Sequence, residues 1–142
     1  MTAGMANESA LLVAVEDEPR SAALLEAVLG RSGYRLRIAS DLAEARELLA
    51  ETTPDLVLLD RHLPDGDGLD LIPEIRHSDR LGDVPILLVS ASVLPRDVQA
   101  AMEAGCDGFL PKPVHVRPLV DAVRRLLDRT GAVDVSGGKL AD

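Results

Sequence analysis

Several apolar runs in this chain end on residue types that can do chemistry. Leu11–Val15 is followed by Glu16-Asp17-Glu18, Leu56–Leu59 by Asp60, and Pro85–Val89 by Ser90-Ala91, while Gly108–Leu110 leads into Lys112-Pro113. Carboxylates gathered without a cysteine cluster or a histidine pair suit a hard, oxygen-seeking cation, and Mg2+ is the usual choice. A cation also answers the repulsion that builds when ionised carboxyls share a site. Each residue taken singly has a plainer explanation. An acid after a strand is a solvated loop residue or a helix cap, Ser90 is a cap, and Lys112 is a surface charge. Their joint placement at the ends of successive runs is what weighs against that explanation.

The placement depends on the elements between them. The four apolar runs are short and bounded by turn residues, which predicts buried strands. Tyr34–Ala39 alternates apolar residues with Arg35 and Arg37 and predicts an edge strand with one wetter face. Helical patterns fill the gaps. Pro19 opens one that buries Leu24, Leu25, Val28 and Leu29 and stops before Gly33. Asp41 and Glu44 form a capping-box-like start ahead of Leu42, Ala45, Leu48 and Leu49. Leu69–Ile75 and Pro95–Ala104 give two more, the latter ended by Gly105, and the last runs from about His115 to Arg129. Strand and helix alternate five times, which implies an α/β fold: a parallel sheet with helices on both faces and right-handed connections. In such sheets ligands bind beyond the carboxyl ends of the strands, so the acids, Ser90 and Lys112 should meet on one rim. Residues 1–9 and 131–142 read as tails around a single domain of residues 10–130.

Composition narrows the function classes. The 142 residues suit one domain. They are 46% hydrophobic but include only two aromatics, Tyr34 and Phe109. The core must be aliphatic, and recognition of nucleic acid by base stacking is excluded. Twenty-four acidic against fifteen basic residues give a net charge of −9, which repels phosphate backbones and anionic membranes. One cysteine, Cys106, allows neither a disulfide framework nor a thiolate cluster, and fits a buried, unreactive thiol. MTAGMANESA has no basic stretch before an apolar run, and no apolar run is long enough for a bilayer. A soluble, cytoplasmic domain without direct nucleic-acid or membrane contact is expected.

The segments LLVAVEDEP, DLVLLDRHLPDGDG, PILLVSAS and AGCDGFLPKP together resemble the receiver domain of two-component response regulators, the family of the single-domain chemotaxis regulator. Ser90 and Lys112 lie 30 and 52 residues after Asp60, the family's usual layout, and the likeness covers about residues 10–130. The resemblance implies a flavodoxin-like five-stranded sheet of strand order 2-1-3-4-5. It implies that Asp60 accepts a phosphoryl group from a phosphohistidine on a histidine kinase or phosphotransfer protein. Asp17, Asp60 and the His62 carbonyl would hold Mg2+, with Glu16 acting through water. Lys112 would pair with a phosphoryl oxygen, and Ser90 would bond to another after transfer. Phe109 occupies the aromatic switch position, with a cis Lys112–Pro113 bond nearby. His62 and Ser92 occupy positions that tune the phosphoryl lifetime. The face of the fourth helix, fifth strand and fifth helix, including Arg96, Gln99, Glu103, Arg117, Arg124 and Arg125, would meet an output partner or a second copy. Glu16, Ser90 and Phe109 stand where Asp, Thr and Tyr are commoner. All three are ordinary variants.

Two other classes compete. A receiver-shaped interaction module that is never phosphorylated would lack the acidic pair, the aspartate or the lysine, all present here. An aspartyl-nucleophile hydrolase would carry Asp-x-Asp after the first strand, where this chain has Glu16-Asp17-Glu18-Pro19, and would add a cap insertion. The expected activity is therefore phosphoryl acceptance and self-dephosphorylation, not turnover in trans. PDGDG offers no calcium-loop register and is read as a turn into the third helix. His62, His77 and His115 are read as solvent-facing. The chain is expected to be a standalone receiver or a piece of a larger regulator or hybrid kinase.

Overall fold

A computed structural model describes residues 10–130; the two tails inferred at 1–9 and 131–142 lie outside the described residues. Five parallel strands form one sheet: β1 (Leu11–Val15), β2 (Arg35–Ala39), β3 (Leu56–Leu59), β4 (Ile86–Ser90) and β5 (Gly108–Pro111). Five helices alternate with them: α1 (Pro19–Arg31), α2 (Leu42–Glu51), α3 (Leu71–Arg76), α4 (Pro95–Ala104) and α5 (Val116–Thr130). The strand order is β2-β1-β3-β4-β5, the flavodoxin-like order, and the arginine-bearing β2 is an edge as its alternation requires. Among the described residues no helix is long and apolar enough to cross a membrane.

Strand parity sorts the core into two layers. Side chains alternate across a strand. Val13, Val15, Val57, Leu59, Ile86 and Leu88 therefore face α2, α3 and α4, where Ala45, Leu48, Leu49, Ile72, Ile75 and Ala101 cover them. Leu12, Ala14, Leu56, Leu58, Leu87 and Val89 face α1 and α5, where Leu25, Leu29, Leu119, Val123 and Leu126 do the same. Both faces of β1, β3 and β4 are thus dry, which is why their sequences read as continuous apolar runs rather than alternations.

Boundaries depart from the sequence reading where hydrogen bonding overrides apolarity. Pro85 stays outside β4 because it has no N–H for the ladder; its carbonyl accepts the Val57 amide at 3.0 Å, and the strand runs on to Ser90 instead. Tyr34 precedes β2 rather than heading it. The larger correction is at PDGDG, which is more than a turn. Here His62–Leu63 pairs antiparallel with Gly66–Asp67, and a 3-10 turn over Gly68–Asp70 delays α3 to Leu71. The cause is a close return of the chain: the Gly68 amide bonds to Arg61 O at 2.6 Å, and a Cβ on Gly68 would overlap the Asp60 carbonyl. Asp67 completes the bend by accepting the Leu69 amide at 2.9 Å.

Helix starts follow local chemistry. Glu18 caps α1 by accepting the Ser21 amide at 2.8 Å, with Pro19 in the first turn. Asp41 caps α2 through the Glu44 amide at 2.8 Å, while the Glu44 carboxylate accepts from Ser40, one residue earlier than a capping box requires. The remaining first-turn amides of α2, on Leu42 and Ala43, are taken by Asp65 at 2.8 and 3.1 Å. Asp65 lies 23 residues beyond Leu42, and nothing local in the sequence announces it.

Candidate functional site

Backbone ladders continue one residue past the strand ends and so aim the functional side chains over a common rim. The Glu16 amide bonds to Ala39 O at 2.9 Å, the Asp60 amide to Val15 O at 3.0 Å, and the Lys112 amide to Ser90 O at 3.0 Å. Each residue is thereby hydrogen-bonded to the neighbouring strand. The Lys112–Pro113 peptide is cis, as the resemblance implies.

Glu16, Asp60 and Ser90 are buried, at 3, 5 and 0% exposure, and they are the only buried polar or charged residues among those described. Buried ionised groups must be paired. Lys112 supplies the pairing: its Nζ lies 2.9 Å from Glu16 Oε1 and 3.0 Å from Asp60 Oδ2. Backbone donors complete it, with the Glu18 amide on Glu16 Oε2 at 3.0 Å and the His62 amide on Asp60 Oδ1 at 3.2 Å. Burial pushes the Glu16 carboxyl above its ordinary range; the Lys112 and Glu18 donors oppose this, and the Asp60 charge adds to it. Burial alone would lower the Lys112 ammonium, but its hydrogen bonds to Glu16 and Asp60 and their charges hold it above its ordinary value.

Carboxylate oxygens of Glu16, Asp17 and Asp60 lie within 4.8 Å of one another, with Asp17 at the exposed side. An all-oxygen set of this kind fits a hard divalent cation open to solvent on one side. Ser90 Oγ accepts the Ser92 amide at 3.1 Å, and Ser92 Oγ meets His62 Nε2 at 2.8 Å, so the two loop residues close one side of the rim. All three histidines are exposed. Phe109 pairs with Leu88 across the sheet and packs half-buried against the layer under α4. Cys106 is buried in the same layer, where burial raises its thiol pKa and leaves it in the neutral form.

Every site residue named from the sequence thus falls on this rim or, for Phe109, beside it. Arg61 was not among them. Its guanidinium reaches Asp67 Oδ2 at 3.3 Å and Asp97 Oδ1 at 3.4 Å, the latter 36 residues away, a separation at which sequence spacing carries no signal.

Comparison with known proteins agrees with this geometry. Residues 12–124 match the response regulator receiver domain family. The transcriptional regulatory protein GltR of Pseudomonas aeruginosa is 37% identical over 133 residues, covering 94% of this chain and 54% of that protein. PrrA of Mycobacterium leprae is 37% identical over 128 residues, covering 90% and 54%. The chain therefore spans about half the length of these relatives. Among solved structures, the non-phosphorylated HemR receiver domain of Leptospira biflexa has a TM-score of 0.78 at 30% identity, covering 87% of this chain and 98% of that one. The receiver domain of the sensor histidine kinase PA1611 of P. aeruginosa, solved with a magnesium ion in its active site cleft, has a TM-score of 0.77 at 29% identity, covering 84% and 98%. With the sheet order, the acidic rim and the matched span in accord, the chain belongs to the response regulator receiver domain family of two-component systems.

Proposed function

We propose that Asp60 is the phosphoacceptor of a two-component phosphorelay. The observation that carries this reading is a buried Asp60 carboxylate, paired with Lys112 at 3.0 Å and grouped with Glu16 and Asp17 at the sheet's carboxyl edge. An Asp60 Oδ forms the new P–O bond as the P–N bond of the donor's phosphohistidine breaks, and the leaving imidazole keeps the electron pair and takes a proton. Bound Mg2+, which the PA1611 receiver carries in its cleft, would neutralise charge on the transferring oxygens. Asp17, Asp60 and the His62 carbonyl would hold the ion, with Glu16 acting through water. The Lys112 ammonium, already between Glu16 and Asp60, moves onto a phosphoryl oxygen.

Ser90 Oγ, which accepts the Ser92 amide, moves to donate its hydroxyl proton to a phosphoryl oxygen, and the half-buried Phe109 ring turns into the space this leaves. His62 and Ser92, in contact at 2.8 Å, govern access of water and so the lifetime of the acyl phosphate. Residues 10–130 act as the receiver domain. The α4–β5–α5 face, on which Arg96, Gln99, Glu103, Arg117, Arg124 and Arg125 are exposed, engages an output domain, another protein or a second copy. The donor is a histidine kinase or a histidine phosphotransfer protein. The reaction is self-phosphorylation and self-dephosphorylation.

Incubation with acetyl phosphate and Mg2+, followed by intact-mass measurement, tests the reading. A single phosphoryl adduct on the wild type that is absent from Asp60→Asn is expected. No adduct on the wild type, or an undiminished one on Asp60→Asn, refutes it.

A further inference from the structure

Helix α4 is held very differently at its two ends. At its C-terminus Gly105 adopts φ 117°, and its amide closes the helix onto Met102 O at 3.1 Å. Arg76 then clamps the same residue, donating Nε and Nη2 to Gly105 O at 3.2 and 2.8 Å while Nη2 also reaches Asp107 at 2.8 Å. At the N-terminus the cap residue Leu94 offers no side-chain hydrogen bond, and Val93 and Leu94 are each 51% exposed. Ala101 is the one buried residue of α4, and it lies toward the clamped end. Across the first turn the charged contact is Asp97 with Arg61, the residue that directly follows Asp60. Both side chains of this pair are more than three-quarters covered, at 22 and 23% exposure.

We propose that the Arg61–Asp97 ion pair tethers the first turn of α4 to the loop that carries Asp60. A rearrangement around Asp60 is then passed to α4 through Arg61, and the helix pivots about its Arg76-clamped end. Arg61 is a positioning residue: its side chain touches Asp67 and Asp97 and neither the rim acids nor Lys112. Asp67 holds the guanidinium on the hairpin side, so the link runs from the hairpin beside Asp60 to the helix. The part of the inference that concerns signalling rests on Asp60 being the phosphoacceptor; the tether itself does not.

Hydrogen exchange of the α4 amides separates the two. In the unmodified full chain, Arg61→Gln and Asp97→Asn should each speed exchange at Gln99 and Ala100 by about two- to fivefold, the range of a partly covered ion pair. The double variant should be no faster than either single one, and α1 should be unaffected. No acceleration, multiplying effects in the double variant, or equal acceleration in α1 overturns the tether. Beryllofluoride with Mg2+ then tests the link: it should alter α4 exchange in the wild type and do so less in Arg61→Gln, with adduct formation at Asp60 unchanged. An undiminished response in Arg61→Gln, or a wild type that forms the adduct with no change in α4 exchange, overturns the link, whereas a wild type that forms no adduct refutes the phosphoacceptor reading instead.

Discussion

Lys112 sets one positive charge against two buried carboxylates, and Asp17 adds a third acid on the open side of the rim. Burial, the first cause of the raised Glu16 pKa, works against keeping that carboxyl ionised beside Asp60. Sites of this kind hold function at a cost in stability. Asp60→Asn keeps the shape of the side chain and removes one of the three negative charges. It should abolish phosphoryl acceptance yet stabilise the fold by about 1 kcal/mol. Urea or thermal unfolding at neutral pH checks this, and a loss of stability would mean that the Lys112 pair outweighs the repulsion. At this scale the sequence was highly legible. Glu16, Asp60 and Ser90 directly follow an apolar run, and Asp17 and Lys112 lie one residue further on, so their placement needed only the strand ends. The Lys112 contact with Glu16, across 96 residues, had no such local signal.

The elements around the rim are joined by two contacts that make specific predictions. Asp65 accepts the two opening amides of α2, Leu42 first, and these donors hold its carboxyl below the ordinary range. A carboxyl lowered by folding contributes stability that is present above its unfolded pKa and lost as pH falls through the folded value. Asp65→Asn has one acceptor oxygen for two amides. It should lower the thermal midpoint at pH 7, and it should flatten the acid-side decline that the wild type shows below about pH 4. A midpoint-against-pH series for the two proteins checks both parts. Gly68 is the second contact. A methyl group there would press on the Asp60 carbonyl, and backbone cannot swing aside as a side chain can. Gly68→Ala should therefore cost about 1–3 kcal/mol and slow phosphorylation by displacing Asp60, read by unfolding and by adduct formation rates. The helix cap at Asp41 was legible because caps act within three residues. The hairpin His62–Leu63 with Gly66–Asp67 was not, because its pairing depends on how closely the chain returns to Asp60.

Across the whole molecule, the two-layer core leaves one aromatic ring beside the path from the rim to the α4–β5–α5 face. Tyr34 precedes the edge strand and packs half-buried against the α1–α5 layer. Phe109 instead sits half-buried against the layer beneath α4, one strand from Ser90. Phe109→Ala should leave the Asp60 adduct forming at near wild-type rate. It should also shrink the NMR chemical-shift response of the α4–β5–α5 face to beryllofluoride; a full response would make the ring core filling only. The sequence by itself determined the alternation of strands and helices, the aliphatic core and the identity of the rim residues. Those features are written in runs, periods and caps a few residues long. The order β2-β1-β3-β4-β5 came from family likeness, since periodicity does not say which strands are neighbours. Only the tertiary structure decided that Lys112 bridges Glu16 and Asp60, that Asp65 caps α2, and that Arg61 reaches Asp97. Such contacts are set by the register between strands and the seating of helices on the sheet, which the packing of the entire core determines.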